Sequence, residues 1–166
     1  MSALALRPLC HQELDSINAV ISEAMMAWTL PERMKRLSLP LVRYDAVDLD
    51  HFDAIGARVS DQSADELLGV ALWDNELLHG LYVRPQAQGS GIGRALLDAV
   101  RIRARRAGVQ RLLVKAERVS ASYFRQQGLA AAGPESPYPY AFYLPTVAPV
   151  PDQASRQLPD TALSLR

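Results

Sequence analysis

Apolar residues in this chain alternate with polar ones in some stretches and recur every third or fourth position in others. These two periods divide it into strands and helices. "ALALRPL" reads as a first strand, stopped by Pro8 and Leu9. In "HQELDSINAVISEAMMAW", Leu14, Ile17, Val20, Ile21, Ala24 and Met25 fall at helical spacing. "PERMKRL" opens with a proline suited to a first helical turn and predicts a short second helix. "DAVDLDHFD" is polar and predicts an irregular link. Three strand patterns follow, "FDAIGARVS", "ELLGVALW" and "LLHGLYV", joined by "DQSAD" and "DN". Connections this short predict an antiparallel meander. "GRALLDAVRIRARRAG" then predicts a helix closed by Gly108, "RLLVKAE" a strand, "SASYFRQQG" a helix closed by Gly128, and "YAFYL" a last strand. The order β-α-α-β-β-β-α-β-α-β predicts an α/β fold: a mixed, mostly antiparallel central sheet flanked by helices.

From Pro145 the periodicity ends in "PTVAPVPDQASRQLPDTALSLR", with four prolines. The chain therefore divides into one domain over residues 1–144 and a Pro-rich tail over 145–166. With 166 residues, 49% hydrophobic and 22% charged, it has the bulk composition of a soluble globular domain. Eighteen basic residues balance eighteen acidic ones, which argues against a nucleic-acid partner. The balance is uneven: nine acidic residues and one basic lie between Asp45 and Glu76, eight basic and two acidic between Arg94 and Arg118. That split suits an anionic ligand on one side and a cationic one on the other, or two solvated faces of opposite sign. A single cysteine, Cys10, excludes an internal disulfide and a cysteine-based zinc site, and reads as a packing residue. No signal-peptide pattern and no membrane-length apolar run is present, so a cytoplasmic protein with no membrane partner is expected. A homodimer stays open.

The chemistry concentrates in "QGSGIG", residues 88–93, where a strand pattern hands over to a helical one. Glycine there costs stability unless the turn needs positive φ or a backbone free of Cβ atoms, and phosphate binding at a helix N-terminus needs both. A Walker A loop would require lysine and a hydroxyl after Gly93, but Arg94 and Ala95 follow. A dinucleotide fingerprint starting at Gly89 would require glycine at 94. A tight turn without a ligand is the remaining plain reading.

"LHGLYVRPQAQGSGIGRALL" resembles the signature of the GNAT family of N-acetyltransferases, carried by Val83, Pro85, Gln88, Gly91 and Gly93. "YFRQQGL" is similar to that family's later helix-and-glycine motif, and the element order agrees from about Leu6 to Phe142. The resemblance implies an acetyl-CoA co-substrate and no metal. Its pyrophosphate would meet the backbone of Gln88, Gly89, Ser90, Gly91, Ile92 and Gly93, with Arg94 toward the 3′-phosphate. Leu81, Tyr82 and Val83 would hold the pantetheine through backbone groups of a strand splayed from its parallel neighbour.

The same resemblance gives "LHGLYV" a catalytic candidate. It is similar to the Leu-His-x-Leu-x-Val of arylalkylamine acetyltransferases, whose histidine helps deprotonate the amine; here that residue is His79. Imidazole as a residue type titrates near ~6.5, which suits a base at neutral pH. A histidine tolerated in a half-buried strand is the structural alternative. Glu76, at the hairpin turn, is a second candidate. Two positions depart from the pattern: Phe124 stands where the family has an acidic tyrosine, with Tyr123 one place earlier, and Glu117 replaces an asparagine. Met25, Met26, Trp28 and Leu30 are placed as acceptor walls or core, and Tyr138, Tyr140, Phe142 and Tyr143 as pocket lining or strand packing. The expected function is acetyl transfer to a primary amine of a small molecule or peptide. A non-catalytic acyl-CoA-binding module of the same fold is the alternative.

Overall fold

A computed structural model of the chain describes residues 3–61 and 64–147. Its order is β1 (Ala3–Pro8), a 3-10 turn (His11–Glu13), α1 (Leu14–Met26), α2 (Glu32–Val42), α3 (Ala46–His51), β2 (Asp53–Asp61), β3 (Ala64–Trp73) and β4 (Leu77–Val83). A second 3-10 turn (Pro85–Ala87), α4 (Ile92–Arg106), β5 (Arg111–Lys115), α5 (Ala121–Gln126), β6 (Ala130–Ala131) and β7 (Ala141–Pro145) follow. The strands form one sheet in the order β1-β2-β3-β4-β5-β7-β6, antiparallel throughout except for β4 beside β5.

Period-two alternation divides β3 between two cores. Val70 and Leu72 face α1 and pack on Ile17, Val20, Ile21 and Met25, while Ala71 and Trp73 face α4, meeting Leu96, Leu97 and Val100. Those α1 residues follow the i, i+3, i+4 stripe read from the sequence. Full burial of an aliphatic side chain of this kind contributes about 1.5–3 kcal/mol over exposure. The stripe explains why helices cover both faces of the sheet.

Three segments differ from the sequence reading. The second helix runs to Val42, through Pro40, rather than ending near Leu37. Proline lacks only one N–H this close to the helix end, and Lys35 anchors the first turns by donating to the Met26 carbonyl at 2.8 Å. The "irregular" link forms α3, because Asp45 accepts from the Asp48 N–H at 2.9 Å and Asp48 accepts from the Asp45 N–H at 2.8 Å. This reciprocal cap is the carboxylate version of a capping box. Strand β7 reaches Pro145, and buried Thr146 ties back to Gln110, donating to its carbonyl at 2.8 Å. The rest of the proposed tail, 148–166, lies outside the described residues. Cys10, read as a packing residue, is exposed.

Two irregularities in β4 position the site. Leu72 of β3 pairs with Gly80 and Trp73 with Leu78, so His79 is the extra residue of a β-bulge. On the other edge, β4 pairs with β5 only at Leu77 and Leu78. Beyond Leu78 the strands part, and the splay implied by the family resemblance is present.

Candidate active site

The parting of β4 and β5 opens a cleft of about 830 Å³ that runs from the glycine turn, past β4, to α2 and α3. At one end lies the N-terminus of α4. Gly91 is its N-cap at φ 86°, and no side chain caps the helix. The N–H groups of Ile92, Gly93 and Arg94 therefore have no intrahelical acceptor, and no acidic residue occupies the first turn. An anion is the natural partner for such an end.

The turn's side chains brace it. Gln88 donates from Nε2 to the Val83 carbonyl at 3.1 Å, and Ser90 donates from Oγ to the Ala87 carbonyl at 2.5 Å. Ile92 is buried in the α4 core, so only its backbone faces a ligand. A Cβ on Gly91 would meet nothing within 4 Å, whereas one on Gly93 would lie 2.5 Å from the Tyr123 hydroxyl. The missing Cβ of Gly93 thus makes room for a tyrosine, while its backbone N–H stays among the free donors of the helix end. Arg94 lines the cleft beside Gln126 and Gln127.

Along β4, Leu81 and Val83 pack into the α4 core while Tyr82 turns to the α1 side, so the first two offer a ligand only backbone. At the bulge, His79 donates from Nε2 to Asp74 Oδ2 at 2.7 Å and stacks on Phe52, ring centroids 4.0 Å apart. Burial pushes the Asp74 carboxyl up, but the His79 bond and the N–H groups of Glu76 and Leu77 outweigh it and hold it below its usual range. Ionised Asp74 keeps a proton on Nε2, so a neutral His79 has Nδ1 as its basic nitrogen. Glu76 is exposed and does not line the cleft; its carbonyl accepts from the Leu113 N–H at 2.8 Å.

Around His79 stand further groups, of which the sequence reading did not single out Tyr44 and Asp48. Tyr44, Asp48 and Tyr82 line the cleft on the α2–α3 side, with Trp28 stacked on Tyr82 at 6.4 Å. Burial, then the charge of Glu117, raises the Tyr82 phenol to about 12. Of the expected walls, Trp28 lines the cleft, Met25 is core and Met26 is exposed. Tyr138 also lines it, whereas Phe142 is fully buried. Phe124 is buried against Phe142 and offers no proton, and the Tyr123 hydroxyl is buried without a partner among the described residues. Burial, then Asp98, pushes the Tyr123 phenol up.

No group of His, Cys, Asp or Glu among the described residues is arranged to hold a metal. No described helix is long and apolar enough to cross a membrane.

Residues 57–137 match the family model described as "Acetyltransferase (GNAT) domain". An IAA acetyltransferase of Azospirillum brasilense is 38% identical over 61 residues, covering 35% of this chain and 40% of that protein. The match thus spans well under half of that relative. Among solved structures, a PaiA N-acetyltransferase from Thermoplasma acidophilum in complex with coenzyme A superposes with a TM-score of 0.69 at 16% identity, covering 85% of this chain and 96% of that one. A GNAT family acetyltransferase from Brucella melitensis in complex with acetyl-CoA gives 0.60 at 17% identity, covering 90% and 92%. At such identities the likeness establishes the fold, and residues 57–137, just under half of the chain, match the GNAT acetyltransferase domain in sequence.

Proposed function

We propose that this protein is an acetyl-CoA-dependent N-acetyltransferase acting on a primary amine of a small molecule or protein. One observation carries the reading: a single cleft joins an uncapped, glycine-lined helix N-terminus to a histidine–aspartate pair at a strand bulge. The coenzyme A complexes of two fold relatives support a CoA-type co-substrate. When bound, it supplies an acetyl group activated as a thioester.

The pyrophosphate is held by the free N–H groups of α4, each charge-assisted bond contributing about 1.5–3 kcal/mol. The unpaired edge of β4 then carries the pantetheine toward Gly80 and His79. The acceptor amine enters from the α2–α3 side, where Asp48 and the ring faces of Trp28 and Tyr82 favour a cationic group. His79 takes its proton at Nδ1. As the amine nitrogen bonds to the acetyl carbon, the carbon–sulfur bond breaks, the thiolate departs, and the second proton on nitrogen passes to it. A thiol of pKa near ~8.5 leaves without an obligatory acid.

Acetyl-CoA should raise the melting temperature of the protein by mass action. Free CoA thiol should appear when an amine panel of aliphatic amines, aromatic amines and N-terminal peptides is supplied. Stabilisation without thiol release for any amine would leave the non-catalytic binding module, and no stabilisation would refute the co-substrate.

Tyr123 tests the departure step. Its phenol, raised by burial and packed against Gly93, is a poor proton donor to a thiolate. Tyr123→Phe should retain most of the kcat and melt at the same or a higher temperature, since a buried unpaired hydroxyl is lost. A hundredfold drop in kcat with acetyl-CoA binding intact would make Tyr123 the acid.

A further inference from the structure

Tyr44 is held more firmly than a wall of an acceptor pocket requires. The side chain of Asn18, itself buried, grips its backbone from both directions: Nδ2 donates to the Tyr44 carbonyl at 2.9 Å, and Oδ1 accepts from the Tyr44 N–H at 3.0 Å. A buried amide with both ends satisfied fixes geometry, because any shift leaves polar groups unpaired. The ring is locked edge-on against Phe52, centroids 6.1 Å apart, and Phe52 in turn stacks on His79. Its hydroxyl, which has no hydrogen-bond partner among the described residues, lies 2.8 Å from where a Cβ of Gly80 would stand. Any side chain at 80 would collide with it and with the Tyr82 ring, 2.7 Å away. The chain thus leaves a gap in β4 and fills it with a hydroxyl, one residue beyond the histidine at the bulge.

We propose that the Tyr44 hydroxyl donates a hydrogen bond to the thioester carbonyl oxygen as it becomes the oxyanion of the tetrahedral intermediate. The assignment rests on the acetyl-transfer reading above, in which the thioester lies at Gly80 and His79. The balance of the step is unchanged. The nitrogen–carbon bond forms, the carbonyl π pair moves onto oxygen and returns as the carbon–sulfur bond breaks, the amine proton goes to His79, and Tyr44 keeps its own. Burial first, and then the Tyr82 and Asp48 charges, push its phenol well above the usual range, so it persists as a neutral donor. A donor fixed before the reaction stabilises developing charge without reorganising.

The test uses acetyl-CoA labelled with carbon-13 at the carbonyl, bound to the intact protein and to Tyr44→Phe, which removes only the hydroxyl. A hydrogen bond to the oxygen moves the carbonyl resonance downfield. The bound resonance should lie downfield in the wild type and return upfield in the variant. In parallel, kcat should fall roughly tenfold, the lower bound for losing a hydrogen bond to a charged group, with the KM for acetyl-CoA unchanged. A structural role for Tyr44 would not move the resonance of a ligand that still binds. Identical bound resonances in the two proteins would overturn the assignment while leaving the acetyl-transfer reading intact. Absence of any bound signal in the wild type would overturn that reading and this one with it.

Discussion

Gly91→Asp is expected to yield a folded protein that acetyl-CoA no longer stabilises. Gly91 is the N-cap of α4 at φ 86°, and its missing Cβ would point into open space, with no protein atom within 4 Å beyond its chain neighbours. Aspartate tolerates the left-handed region better than most residues, and the backbone cost should stay near about 1 kcal/mol. The ligand fares differently. A carboxylate about 4 Å from a phosphate charge costs about 4 kcal/mol at an effective dielectric of about 20, roughly a thousandfold in affinity. Gly91→Asn carries the same backbone demand and a side chain of the same shape without charge, and should lose only part of the affinity. Thermal shift with acetyl-CoA across the three proteins separates charge from strain. A full shift retained in folded Gly91→Asp would remove the glycine turn from the binding site.

The longer strands were legible because they obey the two-residue period, and α1 and α4 because their apolar stripes run for several turns. Where a segment was short, polarity misled. Segment 45–53 was read as irregular although Asp45 and Asp48 stand at capping-box spacing, and that cap makes α3 a helix despite its six residues. Strand β6 has only two residues, too few to show any period. The glycine turn was legible as a motif, but the two demands on its glycines were not. Gly91 adopts positive φ with open space beside it, while Gly93 yields to a tyrosine thirty residues away. The partners of His79 divide in the same way. Asp74 lies in the same hairpin, where it also accepts from the Glu76 and Leu77 N–H groups, an aspartate turn that the dipeptide "DN" signals. Phe52 and Tyr44 reach the site only through the packing of α3 and its flanks, which no local pattern encodes.

His79→Ala should lower kcat/KM by roughly 10²-fold, the lower end for losing a general base. Asp74→Asn isolates the second member of the pair. In the asparagine the amide oxygen keeps the Glu76 and Leu77 N–H groups while Nδ2–H donates to Nε2, so the neutral ring carries its proton on Nδ1 and the rate should fall about as far as in His79→Ala. Stability gives an independent reading. The folded Asp74 carboxyl is held below its usual range, so its contribution is fully present above the ordinary carboxylate pKa and is lost as pH falls through the lowered folded value. The wild type should therefore exceed Asp74→Asn in urea midpoint at neutral pH, with the gap closing in acid. Should His79→Ala keep the rate while the Asp74 gap persists, the pair is a structural clasp across the β3–β4 turn and the base lies elsewhere in the cleft.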